Sequence, residues 1–273
     1  MSDPATSNDL PRRLDAALHA ALGDRPATLD DLAPVDEFHT RGRLATEELI
    51  PRLGVGPGDH VLDLGAGLGG PARRLAAATG CRVTGVEHNP AFVEAGRDLT
   101  RRVGLEDRLE LVHGDASDLS RFDPGTFTAA WMLHVGMCIA DKAGLYADVA
   151  RLLSTEATFL IYDILSDDPG SVNYPQPWAQ RAEMSHLIDA DSLVALLNTA
   201  GFDVHTLEDR RVEAAEWLDA RLARAASESP PPLGLHLLFD RGYREAMTNL
   251  LAGLQSARLA PTLVLARCTP DAA

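Results

Sequence analysis

The chain has few cysteines and no long apolar run, and each shortage excludes a class of protein. Cys81, Cys138 and Cys268 are the three cysteines among 273 residues. Their odd number and wide spacing argue against a disulfide-stapled module or a cysteine metal site. No stretch of about 18 apolar residues occurs, so neither a membrane span nor a secretory leader is predicted. We therefore expect a cytoplasmic protein without a membrane partner.

Basic residues are also scarce, with 25 lysines and arginines against 40 aspartates and glutamates, which gives a formal net charge of −15. Such a field repels the phosphate backbone, so we expect no nucleic-acid partner. The nine histidines lack the paired spacing typical of zinc sites, and no metal is predicted. A hydrophobic content of 45% fits an ordinary folded protein with a sizeable core.

From residue 60 onward, short apolar runs alternate with helical patterns, which is typical of successive βαβ units. The predicted strands are 61–64, 82–87, 108–115, 127–133, 158–165, 202–207 and 260–268. The predicted helices are 10–22, 43–53, 71–79, 89–103, 140–153, 190–200 and 212–227, with one more helix before the last strand, and 33–42 is expected to be a loop. The pattern indicates an α/β protein with a doubly wound, mostly parallel sheet.

The same pattern suggests how the chain is organised. Residues 1–55 are predicted to form an N-terminal helical cap, and residues 56–273 the main domain. The segment after the fifth strand is rich in proline, aspartate and serine and is too long for an ordinary strand–helix loop. We expect a substrate lid at about 166–190 and 208–258.

The strongest motif is VLDLGAGLGG at 61–70, where a strand runs into a glycine turn that opens a helix. Glycines allow close backbone approach to a ligand, and the helix N-terminus offers free N–H groups. Gly65, Gly67 and Gly70 fit G-x-G-x-x-G, and Glu87 stands about 20 residues further on, where an acid binds a nucleotide ribose. The motif alone permits a nicotinamide or flavin enzyme.

Asp63 separates the possible cofactors, because it stands two residues before the first glycine of the loop. A carboxylate there repels a dinucleotide pyrophosphate, whereas the ammonium and sulfonium groups of S-adenosylmethionine are attracted to it. Asp115 follows the third strand and can accept a hydrogen bond from an adenine amino group. We expect Asp63, Glu87 and Asp115 to share one edge of the cofactor site.

On these residues the chain resembles the class I S-adenosylmethionine-dependent methyltransferases, and within them the sarcosine/dimethylglycine N-methyltransferase-like proteins and the related ubiquinone/menaquinone C-methyltransferases. The matching segments are 36–42, 61–76, 80–96, 114–116, 133–137, 141–142 and 230–235. The resemblance implies a seven-stranded sheet whose last strand is antiparallel and lies between the two before it. It also implies cofactor contacts from Asp63, Gly65, Ala66, Gly67, Glu87, His88, Asp115 and Ala116.

The expected chemistry is in-line methyl transfer to a small molecule, with nitrogen or oxygen favoured and carbon possible. Because the sulfonium is a good leaving group, holding the acceptor in line supplies most of the catalysis. A base is needed only for a protonated acceptor, and the candidates are His134 and His39. The candidate substrate-binding residues are Tyr162, Asp163, Tyr174, Trp178, His186 and His236.

Two other functions stay open at this level, and a homodimer is possible. A nucleotide-dependent oxidoreductase would bind a nicotinamide cofactor and not S-adenosylhomocysteine. A non-catalytic S-adenosylmethionine-binding protein would bind the cofactor and methylate nothing. The fold cannot decide between acceptors, because this scaffold carries many chemistries.

Overall fold

The computed structural model describes residues 9–229, 231–239 and 242–269. The strands are β1 (His60–Leu64), β2 (Arg82–Glu87), β3 (Leu109–His113), β4 (Phe127–Leu133), β5 (Leu153–Leu165), β6 (Phe202–Asp209) and β7 (Ala260–Cys268). The helices are α1 (Leu10–Leu22), α2 (Leu29–Asp36), α3 (Arg43–Leu53), α4 (Gly70–Thr79), α5 (Pro90–Arg102), α6 (Lys142–Leu152), α7 (Ala190–Thr199), α8 (Arg211–Ser227) and α9 (Tyr243–Gln255). Short 3-10 turns lie between several of these elements.

The strands form one seven-stranded sheet in the order β3-β2-β1-β4-β5-β7-β6. Strands β1 to β5 pair in parallel, and β7 pairs antiparallel with both β5 and β6. The predicted fold class is therefore confirmed, including the position of the last strand. Successive strands are added on one side of β1 as far as β3, and β4 then lies on the other side of β1. In open α/β sheets, ligands bind beyond the carboxyl ends of the strands at such a switch point.

Helices cover both faces of the sheet, because its central strands are apolar on both sides. Leu62 and Met132 point into one apolar core together with residues of α6 and α7. Val61 and Trp131, their chain neighbours, point into the opposite core together with residues of α3 and α4. This alternation along each strand sets which side chains can reach the site at the sheet's edge.

The N-terminal segment contains a helix that the sequence pattern missed. Residues 33–36 of the expected loop are the last turn of α2, so that part of the loop prediction is wrong. Thr28 and Asp31 cap this helix reciprocally, and Leu32 and Val35 are fully buried. The capping box and the buried apolar pair stabilise a helix only eight residues long.

The start of β5 also differs from prediction. β5 begins at Leu153, five residues earlier than the apolar run suggested, because the chain leaves α6 directly into a ladder with β4 that shifts register between Phe127 and Ala129. The polar residues 154–156 hide this start from a reading of hydrophobicity alone.

Helices α8 and α9 pack on each other and, with the segment after β5, form an apolar cluster near the carboxyl edge of the sheet. Residues 1–8, 230, 240, 241 and 270–273, which the predicted cap, lid and main domain include, lie outside the described residues. Within the described part of the chain, no helix has the length and apolar character to cross a bilayer.

Candidate active site

A cavity of about 390 Å³ lies at the carboxyl edge of the sheet. This volume is in the range of small-molecule sites. Eleven of the predicted functional residues line it: Asp63, Gly65, Ala66, Gly67, Glu87, His88, Asp115, Ala116, His39, His134 and Trp178. The strand ends, the segment between α2 and α3, and the helices α8 and α9 thus surround one space.

The glycine loop after β1 forms one wall of this cavity. The backbone N–H groups of Gly65 and Ala66 donate to the Val86 carbonyl, which fixes the loop against β2. Gly65 has φ +70°, and a Cβ there would lie 2.3 Å from the Val135 side chain, so a larger residue does not fit. Gly67 has φ +56° with open space where its Cβ would be, which leaves backbone exposed to a ligand.

Glu87 ends β2 and ties the glycine loop to the start of α5. Its Oε2 accepts from the Gly67 backbone at 3.0 Å, and its Oε1 accepts from the Asn89 backbone at 2.8 Å. His88 Nδ1 lies 3.0 Å from the same Oε1. Glu87 is 5% exposed, and Oε2, with the Gly67 N–H as its one hydrogen-bond donor among the described residues, keeps a second lone pair for a ligand hydroxyl.

Asp63 has a different environment from the other acids of the cavity. It is 3% exposed, and its Oδ2 has no hydrogen-bond partner among the described residues. Burial raises the pKa of Asp63 to about 7, the negative charges of Glu87 and Glu37 act in the same direction, and the Trp131 indole opposes the rise. A buried carboxylate oxygen without a partner is costly, so this group favours a cationic ligand.

Asp115 lies on the rim of the cavity and is held in place by its own turn. Its Oδ1 accepts from the backbone N–H of Ser117 at 2.8 Å and from the Ser117 hydroxyl at 2.7 Å. These hydrogen bonds lower the pKa of Asp115. The side chain is therefore a fixed, ionised acceptor next to the buried Ala116.

The two candidate bases stand near each other, with ring centroids 6.1 Å apart. His134 Nε2 lies 3.1 Å from Thr40 Oγ1, which in turn lies 2.9 Å from the Tyr162 hydroxyl. His39 Nε2 lies 3.2 Å from the Thr46 hydroxyl. Burial lowers the pKa of His39 to about 4 and that of His134 well below its usual value, so both rings are neutral at pH 7.

His134 has an unusual backbone, with φ +56° directly after β4. Only a few per cent of residues other than glycine adopt this left-handed conformation, although histidine does so more often than most, and such positions are concentrated at functional sites. The backbone N–H of His134 donates to the Tyr162 carbonyl at 2.7 Å, which holds the residue in this conformation. Thr40 was not singled out in the sequence, although it stands in the 36–42 segment that was.

The structure places the remaining predicted substrate residues outside the cavity lining. Asp163 lies under the turn at 136–138: its Oδ1 accepts from the Ile164 backbone, and the backbone N–H groups of Gly136 and Met137 help to offset the burial that raises its pKa to about 7. His186 contacts that turn through its backbone, donating to the Met137 carbonyl. Tyr174 packs against the α8–α9 cluster, and His236 lies in the 3-10 turn Leu235–Leu237.

The turn at 136–138 is also fixed by Lys142, the only lysine of the chain. Its Nζ donates to the carbonyls of Gly136 and Ile139, each at 2.7 Å, and to that of His186 at 2.5 Å. Met137 and Cys138 of this turn line the cavity. Lys142 therefore supports the cavity floor without reaching the ligand space.

The rest of the lining is mostly apolar and comes from elements far away in sequence. The residues that the sequence analysis did not anticipate here include Phe38, Phe92, Ile139, Pro177, Trp217, Leu218, Arg221, Leu235, Leu238, Tyr243, Met247 and Leu250. The amphipathic character of α8 and α9 was the only available signal, and it does not tell which face meets the cavity. No group of three or more histidine, cysteine or acidic side chains suited to a metal occurs in the described part of the chain.

Comparison with known proteins agrees with this geometry. A family model described as a methyltransferase domain matches residues 62–161. Methyltransferase GfsG of Streptomyces halstedii is 30% identical over 195 residues, which are 70% of this chain and 68% of that protein. The chain belongs to the class I S-adenosylmethionine-dependent methyltransferases. The family resemblance seen in the sequence is thereby confirmed.

Other similar proteins are methyltransferases whose names state the acceptor. The sterol 24-C-methyltransferase of Eremothecium gossypii is 35% identical over 202 residues, covering 74% of this chain and 52% of that enzyme. The chain thus spans about half the length of the curated sterol methyltransferases it matches. A structure of geranyl diphosphate C-methyltransferase from Streptomyces coelicolor, 20% identical, covers 97% of this chain and 99% of that one with a TM-score of 0.68. At that identity the likeness shows the fold alone.

Proposed function

We propose that this methyltransferase transfers a methyl group from S-adenosylmethionine to a largely apolar small molecule. The observation that carries the proposal is the Asp63 carboxylate, which is buried beside the glycine loop with one oxygen unpartnered. A cation completes such a group, and a pyrophosphate would be repelled by it. The oxidoreductase alternative is disfavoured for this reason.

The residues around the cavity fit the remaining parts of the cofactor. Asp63 and the open backbone at Gly67 suit its methionine part, and the remaining lone pair on Oε2 of Glu87 suits a ribose hydroxyl. His88, Asp115 and Ala116 line the cavity beyond Glu87, where the adenine would lie. The solved geranyl diphosphate methyltransferase contains S-adenosylhomocysteine, which supports the same assignment here.

When bound, the cofactor would supply a methyl group attached to a positively charged sulfur. The sulfur is the leaving group and keeps the electron pair of the broken bond. The chain's own task is to hold the acceptor close to that methyl and in line with it. For an acceptor that arrives as O–H or N–H, a neutral His134 can take the released proton. The Thr40 hydroxyl holds its ring in place, and the Tyr162 hydroxyl in turn holds Thr40.

The acceptor end of the cavity favours an apolar molecule, because Trp178, Leu218, Met247 and Leu250 line it. We favour a nitrogen or oxygen acceptor, since the neutral His134 ring can accept the proton that such an acceptor releases. The sterol and geranyl diphosphate enzymes are named for methylation of carbon. An activated carbon therefore belongs in the same screen as phenols, amines and carboxylic acids. The cytoplasmic location and the homodimer stay predictions.

Calorimetric titration of the wild type with S-adenosylhomocysteine and, separately, with NAD⁺ tests the cofactor. We expect S-adenosylhomocysteine to bind and NAD⁺ not to bind. Glu87→Ala should weaken S-adenosylhomocysteine binding at least tenfold, because it removes charged acceptors for the ribose and frees the Gly67 loop. Glu110→Ala, at an exposed position on β3, is the matched control and should bind normally. NAD⁺ binding without S-adenosylhomocysteine binding would overturn the proposal.

His134→Ala should lower turnover about 100-fold when the acceptor is a phenol or an amine, because the proton acceptor is removed. S-adenosylhomocysteine affinity should not change. With saturating cofactor and a phenol acceptor, the wild-type rate should show no titration of His134 between pH 6 and 8, since the ring is already neutral there. The assay follows labelled methyl groups into acceptors found by screening. His205→Ala, exposed on β6, is the control.

Full turnover in both His134→Ala and His39→Ala would show that neither histidine is a base. A wild type that binds cofactor and methylates no phenol, amine, carboxylic acid or activated alkene would favour the non-catalytic alternative.

A further inference from the structure

We infer that the acceptor carries an anionic group, such as a carboxylate, and that Arg221 binds it. The inference rests on the proposed function and names the chemistry of its acceptor. Arg221 stands on α8, and among the described residues that line the cavity it is the only lysine or arginine. Its guanidinium is therefore the one permanently positive group among the described residues of this lining, which otherwise consists of acids, a few uncharged polar side chains and many apolar groups.

Arg221 forms no hydrogen bond or ion pair with any residue that the structure describes; its recorded contact is with an aromatic ring. Two arginines at the start of the same helix behave differently. Arg210 Nε lies 3.0 Å from Glu213, and Arg211 Nη2 lies 2.5 Å from Asp209. In a chain with 40 acids, an arginine that faces a cavity without an acidic partner is available to a ligand.

The contact of Arg221 orients its charge. The guanidinium carbon lies 5.4 Å from the centroid of the Trp217 ring, one helical turn earlier. An arginine held over an aromatic face keeps its charge and still presents N–H groups in its own plane, which match a carboxylate or phosphate in bidentate fashion. Trp217 also lines the cavity, so the stacked pair forms part of its wall.

The place of Arg221 points to the acceptor rather than to the cofactor's cationic groups. Asp63 lies near the end of β1, Glu87 ends β2 and Asp115 follows β3, and together they form the acidic end of the cavity. Leu218, one turn before Arg221, packs in the apolar cluster of α8 and α9 with Met247. An acceptor with an apolar body and an anionic end could pack its body against that cluster and bind Arg221 through its anionic end. The methionine carboxylate of the cofactor has the same chemistry and is the competing source.

Two dyes of matched shape serve as probes, because the acceptor is unidentified. 8-Anilinonaphthalene-1-sulfonate is an apolar anion, and N-phenyl-1-naphthylamine has the same aromatic body without the sulfonate. Binding is followed by fluorescence with and without saturating S-adenosylhomocysteine. We expect Arg221→Gln to weaken binding of the sulfonate about tenfold and to leave the neutral dye unchanged, in line with the loss of one charge-assisted contact.

Two control variants make the dye result specific. Arg224→Gln changes an exposed arginine on the same helix and should bind both dyes as the wild type does. Leu250→Trp fills the apolar wall and should weaken both dyes, which places them in the cavity.

Three outcomes overturn the inference: no binding of the sulfonate to the wild type, equal loss of both dyes in Arg221→Gln, or an unchanged sulfonate affinity in that variant. Arg221→Gln that loses S-adenosylhomocysteine binding while keeping the sulfonate would assign Arg221 to the cofactor carboxylate, and this too overturns it. Failure of the proposed function is a separate result, because the wild type would then not bind S-adenosylhomocysteine, whereas the dye comparison without it still reports on Arg221.

Discussion

Asp63→Asn is expected to stabilise the ligand-free protein and at the same time to weaken S-adenosylhomocysteine binding by a factor of about 10 to 100. Asparagine keeps the shape of the side chain and removes the charge that burial opposes. Removal of a buried charge that lacks a partner is worth about 1–3 kcal/mol in the free energy of unfolding. The same charge is the attraction for the cofactor's ammonium and sulfonium, so binding suffers by a similar free energy.

The stability gain depends on pH with a definite sign. The pKa of Asp63 is about 7 in the folded protein against an ordinary value of 3.8. The folded state therefore holds this proton more tightly than the unfolded state, and the wild type loses stability as the pH rises from about 4 through 7. We expect the gain of Asp63→Asn to be largest near pH 8 and small near pH 4.

Urea denaturation at several pH values and calorimetric titration measure the two effects separately. Asp203→Asn, at an exposed position on β6, is the matched control and should change the free energy of unfolding by no more than about 0.5 kcal/mol. A variant that is less stable than the wild type and binds S-adenosylhomocysteine unchanged would mean that the Asp63 carboxylate serves the fold and not the ligand.

Arg73→Met is expected to destabilise the protein by about 3–5 kcal/mol, because it leaves a buried charge without its partner. Arg73 Nη2 lies 2.6 Å from Asp36 Oδ2, and neither side chain is more than 4% exposed. The same guanidinium donates to the Gly96 carbonyl and to the Thr100 hydroxyl. Burial raises the pKa of Asp36 even with Arg73 beside it, so without Arg73 the ionised carboxylate would be still less stable.

This ion pair joins the N-terminal helix α2 to α4 directly below the cavity. Asp36 lines the cavity, and its backbone lies so close to Gly70 that a Cβ there would meet the carbonyl at 2.3 Å. Loss of the pair should therefore also loosen the segment that carries His39 and Thr40. The loss of stability should be smaller at pH 5 than at pH 8, since protonation of the unpaired Asp36 relieves it.

Urea denaturation of three variants tests the assignment. Adding Asp36→Leu to Arg73→Met should recover much of the loss, because no unpaired charge then remains. Arg102→Met breaks an exposed pair with Asp98 and should cost no more than about 1 kcal/mol. Equal effects of Arg73→Met and Arg102→Met would contradict the role of the buried pair.

The sheet could be predicted because each strand has a local signature. The apolar runs at 82–87, 127–133 and 260–268 match β2, β4 and β7 residue for residue. The start of β5 was missed, since the polar residues 154–156 resemble a loop. The helix α2 was missed as well, because eight residues containing Pro34 show no clear period and depend on burial of Leu32 and Val35.

The acceptor side was harder to predict than the cofactor side. Tyr162 and Asp163 were both expected to bind substrate, but neighbours in a strand point to opposite faces of the sheet. Tyr162 reaches Thr40 near the candidate bases, and Asp163 reaches the turn at Gly136 on the other side. Their shared position at a strand end did not imply a shared role.

The sequence by itself determined the family, the succession of strands along the chain and the acids at the ends of β1, β2 and β3. These features depend on a glycine turn and on strand ends, and both are encoded within a few neighbouring residues. Only the tertiary structure decided that Oδ2 of Asp63 lacks a hydrogen-bond partner, that Arg73 pairs with Asp36, and that α8 brings Arg221 to the cavity. Those relations join residues that are distant along the chain, and packing of whole helices against the sheet sets them.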